Sequence, residues 1–248
     1  MIFDTDSHFD VDRLAAQIRI ALDENNDSGS SESPDDTILQ ALRHVHVFRP
    51  QSLASLTATL DTLPSYLFNQ QRHFSFERAV GFIAVDSASA FYWQDRAETE
   101  DAAFYAKTSL EPALAAPASG YAAFTAALKN ACATLQCAAI FTSHYLGPTS
   151  TTPHGARSYR PSLPPPLAIL PTLRLACQRT PVKKFPPLIS LEGALREADD
   201  RITAVEEGKF ECFVNEWGVD ERTLRRIQGV GNGFEFQIRD EGLRVSTQ

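Results

Sequence analysis

The sequence predicts an α/β fold, a mostly parallel sheet built from strand–helix–strand units and followed by antiparallel strands. Three observations carry this expectation. Short apolar runs alternate with amphipathic segments through the first 142 residues. One of those runs, Val80 to Asp86, is apolar almost without a break, as strands buried on both faces of a parallel sheet are. Beyond residue 172 the apolar runs come without long helical stretches between them, which fits antiparallel pairing. With 248 residues, 43% of them hydrophobic, the chain is long enough to bury one sizeable core and reads as a single domain, 1–248.

Met1 to Asp4 reads as the first strand. The helix after it shows Val11, Leu14, Ala15, Ile18 and Leu22 at helical spacing. Residues 23–36 are rich in Asp, Glu, Asn and Ser and hold almost nothing apolar, so a disordered acidic insertion is expected there. Val45 to Phe48 is a short strand, and Leu53 to Phe68 a helix expected to break near Pro64. Tyr121 to Leu135 is Ala-rich with helical periodicity, and Cys137 to Thr142 is the next strand. Residues 147–171 contain seven prolines and little periodicity, which predicts a proline-rich loop. Leu173 to Cys177, Ile202 to Val205, Phe210 to Val214 and Phe234 to Ile238 read as the closing strands, with Gly229 to Gly233 as a turn.

The net charge of -8 argues against strong autonomous binding to nucleic acid, which draws on Lys and Arg displacing phosphate counterions. The charge is unevenly placed. Residues 1–111 carry 18 acids against 8 bases and residues 192–248 carry 13 against 8, whereas 112–191 hold seven bases and no acid. That basic middle, with Lys129, Arg157, Arg160, Arg174, Arg179, Lys183 and Lys184, suits a polyanion if the fold gathers it on one surface. Cys132, Cys137, Cys177 and Cys212 lack paired CxxC spacing, and the acidic opening lacks the basic and apolar regions of a secretory signal. No uncharged apolar stretch reaches spanning length, so a soluble protein of a reducing compartment, without a membrane partner, is expected.

Ligands of parallel α/β sheets bind beyond the carboxyl ends of the strands. The residues ending the apolar runs are Asp4-Thr5-Asp6, Asp86-Ser87 and Thr142-Ser143-His144, a set of carboxylates, hydroxyls and an imidazole suited to a magnesium-bound phosphate. Each also has a plainer reading, as a helix cap, a turn residue or a hydrogen-bonded core histidine. His44 and His46 alternate on one strand, but no third ligand stands at a recognisable spacing, which favours a structural role.

The run from Phe82 through Asp86-Ser87-Ala88-Ser89-Ala90-Phe91-Tyr92-Trp93 to Asp95-Arg96 resembles the Walker B strand of eukaryotic RecA-type recombinases. It is most similar to their XRCC-two-like paralogues. Phe3-Asp4-Thr5-Asp6-Ser7-His8-Phe9-Asp10 with Arg13-Leu14 resembles the family's second core strand and the helix after it, and Phe234 to Val245 its closing hairpin. The resemblance implies a RecA-like P-loop NTPase core, a subunit of nuclear complexes that repair double-strand breaks by homologous recombination. Its implied partners are another recombinase paralogue, the recombinase itself and, weakly, single-stranded DNA.

It further implies that Asp86 holds magnesium through water, with Ser87 beside it, and that Asp6 takes the position of the water-orienting glutamate. His144 then stands where a glutamine senses the terminal phosphate, and Arg157, Tyr159 and Arg160 lie on the DNA-facing loop. The chain departs from the family in one major respect. No G-x-x-x-x-G-K-[S/T] occurs, so the first strand and Walker A loop are lacking. In the family they precede the position of Met1, and the domain is therefore expected to be N-terminally incomplete. It is at best a degenerate ATPase, with magnesium-ATP as cofactor only if that loop is restored. A two-ion nuclease built on Asp4, Asp6 and Asp86 has no supporting motif.

Overall fold

The computed structural model describes residues 1–25, 33–108, 119–145, 158–180, 182, 186–228, 233–239 and 242–245. The chain divides into two compact units. One comprises Met1–Val11, Asn25–Gly147 and Arg160–Pro171, the other Asp12–Glu24, Pro148–Tyr159 and Thr172–Gln248.

The first unit is built on four parallel strands. In chain order the elements are β1 (Ile2–Asp4), α1 (Val11–Asn25, most of which belongs to the second unit), α2 (Pro34–Leu42), β2 (Val47–Phe48), α3 (Leu53–Leu67), β3 (Phe82–Asp86), α4 (Tyr92–Thr108), α5 (Gly120–Leu135), β4 (Ala138–Phe141) and α6 (Pro165–Ala168). The sheet order is β2-β1-β3-β4, with Asp4 level with Asp86 and Phe141 level with Val85. Phe3, Ile83 and Val85 form the buried face, under α3 and α5, which pack against each other. Both helices carry apolar stripes at helical spacing, Leu53, Leu56, Leu60, Leu63 and Leu67 on one and Tyr121, Phe124, Leu128 and Ala131 on the other.

α3 does not break at Pro64 as expected but continues to Leu67. A proline inside a helix costs about 3 kcal/mol. Leu63 and Leu67 on either side of it are buried, and each buried leucine returns about 1.5–3 kcal/mol. Tertiary burial therefore outweighs the lost hydrogen bond. The sheet itself is covered less completely than a parallel sheet usually is. On its second face Val47, Phe82 and Ile140 are 38%, 46% and 56% exposed.

Both segments expected to lack structure contain described residues that form helices. Asp23–Asn25 finish α1, and Pro34 with Asp35 and Asp36 opens α2, where a proline's fixed φ and negative charge both favour a helix start. Residues 26–32 lie outside the described residues. In the proline-rich segment, residues 146–157 are likewise outside them. Of the rest, Pro165–Ala168 form α6, anchored by the buried Leu163, Leu167 and Ala168.

The second unit holds β5 (Leu175–Arg179), α7 (Leu191–Arg196), α8 (Ala198–Glu207), β6 (Lys209–Val214), α9 (Glu221–Gln228), β7 (Gly233–Arg239) and β8 (Gly242–Val245). Its strands form an antiparallel sheet in the order β5-β6-β7-β8, as the closing runs predicted. Phe210 stacks on Phe236 at 5.4 Å, and Ala176, Cys212 and Phe213 are buried. Ile202–Val205 is helical, contrary to the expected strand. Asp199 and Asp200 sit in the first turn of α8, where they complement the helix dipole, Arg201 pairs with Glu197 at 2.7 Å, and Gly208 ends the helix at φ 56°. Of Gly229 to Gly233 only Gly233 is described, and it opens β7.

His44 and His46 meet within the first unit, at a serine. His46 Nε2 and His44 Nδ1 each lie 2.9 Å from Ser75 Oγ, and His46 Nδ1 lies 2.9 Å from the Tyr66 hydroxyl. His73 completes the group, its Nδ1 accepting from the Ser75 amide. Among the described residues no group of three His, Cys, Asp or Glu side chains is placed to hold a metal ion. Burial, then His73, the N-terminal amine and His44, depress the pKa of His46. The unfolded chain therefore binds more protons at this site than the native one. Its contribution to stability is complete above the ordinary imidazole value of 6.5 and is lost as pH falls below that value toward the lowered native one. Urea midpoints are expected to drop as pH falls below about 6.5, with a shallower drop in His46→Gln. An unchanged pH dependence in that variant would locate the acid sensitivity elsewhere.

Candidate functional site

Because β1, β3 and β4 run parallel, their carboxyl ends share one edge of the sheet. The backbone joins the segments leaving that edge. Thr5 N donates to Asp86 O at 2.8 Å, Ala88 N to Thr142 O at 2.9 Å, and the Thr5 hydroxyl to Ser87 O at 2.9 Å. The Asp86–Ser87 peptide is cis.

Asp86 is exposed, and its Oδ1 accepts from the Thr142 hydroxyl at 2.5 Å. Behind it runs a line of hydroxyls. Ser87 Oγ lies 3.4 Å from Ser89 Oγ, which accepts from the His144 amide and lies 3.2 Å from His144 Nδ1. The His144 carbonyl accepts from both the amide and the hydroxyl of Ser162, each at 3.0 Å. Tyr121, fully buried on α5, donates its hydroxyl to Ala88 O at 2.9 Å and so ties the core to the segment between Ser87 and Ser89. Burial pushes the Tyr121 phenol well above the ordinary tyrosine range, so it stays protonated and a donor.

The structure thus brings Asp86, Ser87 and His144 together. Asp6 is exposed, two residues beyond the last β1–β3 pair. The carboxylate level with Asp86 is that of Asp4, and it is engaged elsewhere. Asp4 is 2% exposed, accepting from His8 N at 2.9 Å and from Arg49 Nε at 3.2 Å. Ser89, Tyr121, Ser162 and Arg49 are the contributors that the sequence reading passed over. The Ser87-x-Ser89 spacing after a strand and the position of Arg49, one residue past β2, were the available signals.

An exposed carboxylate with one oxygen held by a hydroxyl fits a ligand to hydrated magnesium, as Asp86 would need to be. A triphosphate needs more, namely a run of backbone amides at a helix start and a lysine in the P-loop pattern. The sequence has no such motif. Asp86 therefore suits part of a magnesium site, and no P-loop motif accompanies it in the sequence.

The described bases of the middle segment fall in both units, and Lys183 and Lys184 lie outside the described residues. Arg157 lies outside the described residues. Tyr159 is half-buried, with its ring 5.5 Å from that of Phe213 and its amide and carbonyl held by the Asn215 side chain at 2.9 and 2.7 Å. Arg160 is exposed and so is Lys129 on α5. Arg174 stacks on Trp217 at 5.4 Å and donates to its carbonyl, and Arg179 donates to Val205 O at 3.0 Å. Among the described residues no helix is long and apolar enough to cross a membrane. No protein-family model matches the chain, and no curated protein matches it.

Proposed function

We propose that the chain is an XRCC-two-like paralogue of the RecA-type recombinases, with a RecA-like P-loop fold but no Walker A motif within this sequence. In this reading it is a nuclear subunit that assembles with another paralogue and assists the recombinase on single-stranded DNA during homologous-recombination repair of double-strand breaks. One observation carries the reading. Asp86 and Thr142 are hydrogen-bonded at the carboxyl edge of a parallel sheet, with Ser87 and His144 joined through Ser89 alongside, and these are the positions at which the sequence resembles the family.

A partial magnesium site with no P-loop motif in the sequence favours an assembly role over autonomous catalysis. Magnesium-ATP is expected to bind more weakly than low-micromolar, so less favourably than about -8 kcal/mol, in equilibrium dialysis. In cells lacking the chain, repair of an induced chromosomal break by homologous copying is expected to fall, and both the natural chain and Asp86→Asn to restore it. The alternative is a DNA-stimulated ATPase of the same fold whose phosphate loop lies outside this chain. It predicts that Asp86→Asn fails to restore repair. Unimpaired repair without the chain removes both readings.

Contact with single-stranded DNA is expected to be weak and centred on Arg157 and Arg160. About two to four phosphates neutralised at roughly -0.7 each give a salt slope of about -1.4 to -2.8. Replacing both arginines with alanine should flatten that slope, read from oligonucleotide binding at several salt concentrations. An unchanged slope would remove this segment from the DNA contact.

A further inference from the structure

Cys177 on β5 and Cys212 on β6 stand directly opposite each other in the antiparallel ladder. The hydrogen bonds of the ladder identify the kind of pair they make. Asn215 N donates to Arg174 O, and Thr180 N to Lys209 O, both at 2.9 Å. The opposed pairs three positions to either side are therefore hydrogen-bonded, and since the two kinds alternate, Cys177 and Cys212 form a non-hydrogen-bonded pair. At such pairs the Cα atoms lie about 4.5 Å apart and the side chains are at their closest, which is within the span a disulfide accepts.

Both side chains project from the same face of the sheet, which sets the two thiols side by side. Both cysteines are free, Cys177 exposed and Cys212 buried. In a reducing compartment a paired dithiol of this kind is the setting of a redox sensor rather than of a permanent cross-link.

We propose that Cys177 and Cys212 form a reversible oxidation site whose oxidant is a low-molecular-weight disulfide such as glutathione disulfide. The exposed Cys177, as thiolate, attacks one sulfur of glutathione disulfide. That S–S bond breaks, one glutathione thiolate leaves, and a mixed disulfide remains on Cys177. Cys212 then gives up its proton to solvent and attacks Cys177 Sγ, expelling the second glutathione thiolate. Two cysteine thiols are oxidised, and one glutathione disulfide is reduced to two glutathiones. Burial and the neighbouring Cys177 push the Cys212 thiol up to about 12, so the second exchange is the slower one and the mixed disulfide precedes the cross-link. The product staples the edge strand β5 to β6.

The test uses the whole folded chain, treated with glutathione disulfide without denaturant, blocked with a thiol alkylator and digested with trypsin. Cleavage places Cys177 in the peptide 175–179 and Cys212 in 210–222, whereas Cys132 and Cys137 share a third peptide. The expected product is a 175–179/210–222 cross-link that dithiothreitol reverses. Cys212→Ala should stop at glutathione on Cys177, and Cys177→Ser should leave Cys212 unmodified. An unreactive Cys177 in the native chain overturns the proposal. So does a mixed disulfide that never resolves while Cys212 is present, or a cross-link formed only in urea.

Discussion

Truncating Phe124 to alanine is expected to lower the unfolding free energy by about 3–5 kcal/mol, read from urea denaturation. Phe124 is completely buried on the inner face of α5, its ring edge-on to that of Tyr121 at 6.2 Å. Its removal loses the transfer energy of the ring and leaves a cavity between α3, α5 and the sheet, whose strands cannot close in without giving up their ladder. Phe68 supplies the comparison, because it is 66% exposed just past the end of α3 and the same truncation there should cost under about 0.5 kcal/mol. A loss below about 1 kcal/mol at Phe124 would mean that α5 does not pack on the sheet as described.

The second large effect is asymmetric. Arg49 is more than half exposed and Asp4 almost wholly buried, yet Arg49→Ala is expected to be the more damaging change. Without the guanidinium, Asp4 remains a buried carboxylate whose remaining partner among the described residues is the His8 amide. Removing Asp4 instead leaves a guanidinium that water already reaches. Breaking a fully buried pair from one side costs about 3–5 kcal/mol, and the exposure of Arg49 reduces this to roughly 2–3 kcal/mol. Asp4→Ala should cost about 1–2 kcal/mol, chiefly for the unsatisfied His8 amide, and the double variant should be more stable than Arg49→Ala alone. Equal losses from the two single changes would show that the Asp4 carboxylate is solvated.

What the sequence revealed depended on whether the stabilising pattern was local and apolar. Phe82 to Asp86 and the leucines of α3 announced themselves because burial wrote their period directly into the chain. α4 was missed because its surface is bound by polar i,i+4 partners instead, Gln94 with Glu98 at 3.0 Å and Arg96 with Glu100 at 2.8 Å. α9 is of the same kind, with Arg225 reaching Glu221. Ile202 to Val205 misled because three of its four residues, Ile202, Thr203 and Val205, are β-branched and favour strands, whereas the flanking acids and Gly208 mark a helix.

At the candidate site, the strand-end rule named Asp86, Ser87 and His144, which lie together in the structure, since polar residues ending apolar runs are visible in one dimension. It could not separate Asp4 from Asp6. That distinction rests on Arg49, 45 positions along the chain, which engages one carboxylate and not the other. Tyr121 was hidden for a related reason, because a tyrosine on an apolar helical stripe reads as packing until the carbonyl beyond it is known.

The two tryptophans of the chain fall one to each compact unit, Trp93 in the first and Trp217 in the second. Trp93 is 66% exposed and crossed by the Arg96 guanidinium, whereas Trp217 is half-buried under that of Arg174. Their surroundings differ enough for emission spectra to tell them apart. Replacing either with phenylalanine turns the intrinsic fluorescence into a probe of one unit alone. A pair of single-tryptophan proteins followed through the same denaturant series thus shows whether the parallel and antiparallel halves melt as one cooperative body or in succession, with no dye or label attached.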